Sequence, residues 1–180
     1  MVISEKIAER IRQRRTPKSV YDKFVEFEDR AASVYLHLAA HFSKNPELSS
    51  LWLEMGMQEK QHAGFLQFCG DEQLFTENLP DEAVIRRLEE VYREIEKRVA
   101  DPELQINDAF QIALDLETSE VNDIYCQLTA TTHNAPYLWR RKVASLSPAH
   151  VVFLAAAARK FGAREEVLNR LDLLCNKCPM

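Results

Sequence analysis

Between Leu48 and Cys69 the apolar residues Leu48, Trp52, Met55, Leu66 and Cys69 advance at the three- and four-residue spacing of one helical face. The two missing rungs of that ladder are Glu59 and His62. A carboxylate and an imidazole thus point into what the pattern marks as a core. An ionised carboxylate buried without a partner costs roughly several kcal/mol or more, so the chain must supply a cation, a hydrogen-bond network or a proton there. An E-x-x-H pair with both side chains on one inward face is how helical bundles hold iron or manganese.

The remainder of the chain favours helices. Its 180 residues suffice for one well-buried domain, and with only 4 Gly and 7 Pro, and no run of alternating β-branched residues, the expected class is all-α. A net charge of -5 argues against nucleic acid as the main partner; the basic stretches Arg10 to Lys18 and Arg140 to Lys142 read as solvated surface. No apolar run is long enough to span a bilayer and residues 1–15 lack an apolar signal core, so the expected location is the cytoplasm, with no membrane partner. Cys69 and Cys126 read as core cysteines, whereas Cys175 and Cys178 form a lone C-x-x-C near the end of the chain.

Prolines punctuate the order. The N-terminal segment 1–18 holds a short amphipathic helix carrying Ile3, Ile7 and Ile11, which stops before Thr16-Pro17. A long helix follows from Ser19 to about Ser43, with Val20, Phe24, Phe27, Ala31, Val34, Leu38 and Phe42 on one face and Glu28 set in that stripe. Asn45-Pro46 makes the turn, and Gly70 is the expected left-handed cap of the second helix. Pro80-Asp81 opens a surface crossover helix to about Ala100, with Val84, Leu88, Val91, Ile95 and Val99 inward. A third long helix carries the ladder Ile106, Phe110, Ala113, Glu117, Glu120, Ile124 and Leu128. Tyr137 to Phe161 reads as a fourth stretch, interrupted at Ser147-Pro148 and ended by Gly162, before an amphipathic tail over Ala163 to Leu174. The bundle thus covers 19–161, and 162–180 holds the tail.

Both helices of a hairpin rise about 1.5 Å per residue, so residues equally far from the turn lie level. Counting from Asn45, Glu28 falls level with His62, and Glu59 within a turn of it. Counting from His133, Glu117 and Glu120 fall level with Ser147 and His150. Two hairpins packed through these stripes place Glu28, Glu59, His62, Glu117, Glu120 and His150 in one layer. Any one core-facing Glu or His is more often satisfied by a neighbouring hydrogen bond. Six at matching heights point to a shared cation, and oxygen with imidazole donors suits iron or manganese.

Glu28 with Tyr35 seven residues on, the tetrad Glu59-Lys60-Gln61-His62 and the Glu117/Glu120 pair resemble the rubrerythrin branch of the ferritin-like superfamily, over about residues 19–161. The resemblance implies a four-helix bundle with a long crossover and two metal ions. In it Glu28 chelates one iron, Glu59 bridges and Glu117 binds the other, while His62 and Glu120 are the alternating ligands between which one iron moves. Glu59, His62 and Glu120 would then be the catalytic set for reduction of peroxide or oxygen, fed by an external electron donor, and a homodimer is the expected assembly.

Two departures mark this chain. Where the family carries a second E-x-x-H, the sequence reads Ser147-Pro148-Ala149-His150, so the second bridging carboxylate is a serine and only His150 remains. The second metal position is weakened, leaving one ion, two with water filling in, or none; Ser147 can equally cap a new helix. Cys175 and Cys178 alone cannot supply the four thiolates of a rubredoxin domain. Beside the enzyme reading stands a binding or storage role, or a degenerate centre in a structural homologue.

Overall fold

The computed structural model of the chain describes residues 16–76, 78–119, 124, 125, 128 and 149–177, with the side chains of 149, 150, 176 and 177 outside that description. Among the described residues the regular elements are six helices, with no strand: α1 (Pro17–His41), α2 (Pro46–Asp71), α3 (Glu82–Val99), α4 (Ile106–Glu117), α5 (Ala149–Lys160) and α6 (Glu165–Lys177). The chain is all-helical over this extent, and among these residues no helix is long and apolar enough to cross a membrane. The expected helix at 1–18 lies outside the described residues apart from 16–18, where Thr16 caps the next element and Pro17 and Lys18 open it.

Pro17 opens α1 instead of marking its approach. The Thr16 hydroxyl accepts from the Ser19 amide at 3.1 Å, and proline sits at the first helical position, where its missing N–H costs nothing. Asn45 and Pro46 repeat the device for α2, the Asn45 side chain accepting from Leu48 N at 3.2 Å. The tight turn between them folds α2 back along α1. At the crossing, a Cβ placed on Gly56 would lie 3.2 Å from the Ala32 carbonyl oxygen, so glycine lets the two backbones approach without crowding. Buried Tyr35 and Trp52 stack across the same interface at 6.1 Å.

Gly70 does not end α2. It lies within the helix, which closes beyond it as Leu74 N bonds to Cys69 O at 2.8 Å and Gln73 takes the left-handed conformation at φ 56°. The segment after it is pinned by the buried Tyr21 hydroxyl, which donates to the Leu128 carbonyl at 2.9 Å and accepts from the Thr76 amide at 3.1 Å.

The crossover helix forms as expected, its first turn capped by Asp81 accepting from Val84 N at 2.8 Å. Its buried face is rotated from the expected stripe. Leu88, Tyr92, Ile95 and Val99 point inward, whereas Val91 is exposed. Helix α4 packs Phe110 on Trp52 at 5.1 Å and Phe161 at 6.4 Å, but ends at Glu117 and not near Leu128. The Thr118 hydroxyl bonds back to Leu114 O at 2.7 Å and that of Ser119 to Leu116 O at 2.6 Å, side-chain bonds that compete with helix continuation. Helices α5 and α6 form a second pair joined at Gly162, whose φ of 71° makes the turn as the sequence implies.

Candidate metal centre

The α1–α2 hairpin delivers the polar rungs. Glu28 from α1, and Glu59 and His62 from one turn of α2, are all buried, at 1%, 4% and 2% exposure. His62 Nδ1 lies 3.0 Å from Glu59 Oε2 and 3.7 Å from Glu28 Oε2, the first a hydrogen bond and the second an electrostatic contact. Donor atoms of the three residues lie within 4.8 Å of one another, a span that two bonds of about 2.0–2.6 Å to a shared ion can bridge. This buried group can hold a metal ion.

Its electrostatics favour positive charge beside the carboxylates. Burial pushes the Glu28 carboxyl from 4.5 up to about 8; the His62 contact opposes that rise and the Glu59 charge adds to it. For His62, burial by itself lowers the pKa, but the carboxylates beside Nδ1 outweigh burial and raise it from 6.5 to about 10. At neutral pH both groups therefore keep protons that an ion would displace. Among the described residues Glu28 Oε1 is buried without a hydrogen-bond partner. Two carboxylates, one of them with an orphaned buried oxygen, and an imidazole fit a divalent metal ion.

A third acid stands beside this group. Glu117, at the last turn of α4, is buried, and its Oε1 accepts from the Tyr35 hydroxyl at 2.8 Å. The Tyr35 pKa is driven well above its ordinary value by burial and by the charges of Glu117 and Glu59, so the phenol stays a donor. Glu117 does not join the three residues whose donor atoms share the 4.8 Å span. Glu120, Ser147 and the His150 side chain lie outside the described residues, as do His133, Cys126 and Cys178; the His150 backbone belongs to α5. Cys69 is buried and Cys175 half-buried.

Aromatic rings wall the group. Tyr125 lies 4.3 Å from the His62 ring, centre to centre. Tyr92 of α3 stacks on Phe27 at 5.2 Å, and its pKa is raised well above normal by burial and by the charges of Glu28, Glu59 and Glu117. Sequence reading passed over Tyr92, although the steps Leu88, Tyr92, Ile95 and Val99 were there to be found. His41 satisfies its ring locally, donating from Nε2 to the Leu104 carbonyl at 2.9 Å, and His37 is exposed. No family model, curated protein or solved structure matches the chain.

Proposed function

We propose that this chain is a ferritin-like carboxylate metalloprotein of the rubrerythrin kind, binding iron or manganese and reducing peroxide or oxygen with electrons from an external donor. The observation that carries the reading is the convergence of Glu28, Glu59 and His62 inside the α1–α2 hairpin. When bound, a redox-active ion would supply the electron exchange. The residues do the rest. Glu28 and Glu59 would hold the ion, their negative charge favouring the higher oxidation state, with His62 facing both carboxylates and Glu59 the bridging ligand that the rubrerythrin resemblance implies. His62 gives up its proton on metal entry and stands ready to ligate, and the apolar walls formed by Phe27, Tyr92 and Tyr125 exclude water. In this reading Glu120 is the ligand that alternates with His62, while Glu117 and His150 serve a second position weakened by Ser147 in place of a glutamate, and the Tyr35 hydroxyl fixes the Glu117 carboxylate.

A second reading, metal binding without turnover, is favoured by one observation: the three residues brought together suffice for one ion, and Glu117 is not among those whose donor atoms share that span. Metal content measured beside peroxide consumption separates the two. The enzyme reading expects at least one iron per chain and loss of peroxide consumption in Glu59→Ala and His62→Ala. Loaded protein whose variants consume peroxide as fast as wild type contradicts it.

A further inference from the structure

Glu28, Glu59 and His62 are so deeply buried that an ion can reach them only if some element moves. The α1–α2 pair is a poor candidate, locked by the Gly56 close approach and by the Ser49 hydroxyl, which donates to the Ala39 carbonyl at 2.8 Å. Helix α4 buries seven of its twelve residues. Helix α3 buries four of eighteen, so among these elements it lifts away with the least exposure of apolar surface.

Besides its four buried residues, α3 is held by ion pairs, Arg98 to Asp115 of α4 and a second set to α1. Arg30 donates from Nε to Glu96 Oε1 at 2.6 Å, from one terminal nitrogen to Glu96 Oε2 at 3.0 Å and from the other to Glu89 Oε2 at 2.8 Å. Lys23 pairs with Glu89 as well. These side chains reach the surface, at 18% exposure for Arg30 and 42% for Glu96, so water can take over their contacts when they part. The Arg30 guanidinium sits 4.9 Å from the centre of the Tyr92 ring, which in turn stacks on Phe27, the neighbour of Glu28. The clamp therefore lies over the ring that closes this side of the acid group.

We propose that α3 is the gate of the metal centre and the Lys23/Arg30–Glu89/Glu96 clamp its latch, a divalent transition-metal ion passing between α1 and α3 as Tyr92 lifts from Phe27. This rests on the metal reading of the Glu28, Glu59 and His62 group. A latch of this kind sets the speed of both entry and exit and leaves the equilibrium affinity unchanged, which a merely stabilising ion-pair network does not do.

The test is stopped-flow loading of the full chain with Co(II), followed by its visible absorption, and release into excess chelator, for wild type and Glu89→Gln/Glu96→Gln. Loading and release are both expected to quicken about three- to tenfold, the scale of losing three partly exposed ion pairs, with affinity unchanged. Removing two negative charges weakens long-range attraction for a cation, so faster loading cannot come from steering. Unchanged rates, or slower loading, overturn the gate while leaving the metal centre in place. Wild type that takes up no Co(II) overturns both. Should circular dichroism show the double variant unfolded, Glu96→Gln alone carries the same comparison.

Discussion

The Tyr35 hydroxyl donates to Glu117 Oε1 at 2.8 Å inside the core, so one hydrogen bond joins α1 to the end of α4 beside the candidate metal centre. Both groups are buried, and the carboxyl loses a donor that water cannot replace if the phenol is removed. Tyr35→Phe is expected to lower the unfolding free energy by about 1–3 kcal/mol, read as a lower urea midpoint at unchanged slope. A midpoint equal to wild type contradicts this.

The metal-free protein should lose stability as pH rises. Glu28 and His62 both have raised pKa values in the fold, about 8 against 4.5 and about 10 against 6.5. The native state therefore binds more protons than the unfolded chain between those limits. By linkage the contribution of both groups is fully present at low pH, below 4.5 for Glu28 and 6.5 for His62, and is lost as pH climbs toward 8 and 10. Each proton held in this way is worth up to about 1.4 kcal/mol per pH unit. Urea midpoints taken from pH 5 to pH 9 should fall, and Glu28→Gln should flatten the slope in the lower part of that range. Metal ion added at neutral pH should release protons, measurable in a weakly buffered solution.

Two glycines of α2 should respond in opposite directions to the same change. Gly56→Ala pushes a methyl group to 3.2 Å from the Ala32 carbonyl, a backbone atom that cannot turn aside. Overpacking of this kind costs about 1–3 kcal/mol, enough to outweigh the helix-propensity gain of roughly 1 kcal/mol. It should also spread α1 from α2, parting Glu28 from Glu59 and His62, and so weaken metal binding. Gly64→Ala meets nothing within 4 Å and should stabilise by about 0.5–1 kcal/mol. Thermal melts of the two variants check the pair.

Much of this was legible before any coordinates, and for a physical reason. The three- and four-residue steps in α1 and α2 fix which face is buried, Asn45-Pro46 fixes the turn, and a constant rise then fixes heights, so Glu28, Glu59 and His62 could be set level by counting. Counting could not see across hairpins, and the Tyr35–Glu117 bond joins residues 82 positions apart. The end of α4 was hidden because the apolar ladder continues through Ile124 and Leu128, while the Thr118 and Ser119 hydroxyls compete for helical carbonyls. In α3 the stripe was drawn through Val91, and one residue of rotation brings Tyr92 inward in its place. Gln73 in a left-handed conformation carries no local signal, whereas Gly70 carried one it did not use.

The most direct test of the buried cluster is anomalous diffraction from crystals of the full chain soaked with Mn(II). The expected result is a peak among the Glu28, Glu59 and His62 side chains, about 2.0–2.6 Å from an oxygen of each glutamate. Peaks confined to exposed acids at the surface, with His62 still bonded to Glu59 as in the metal-free fold, would contradict it.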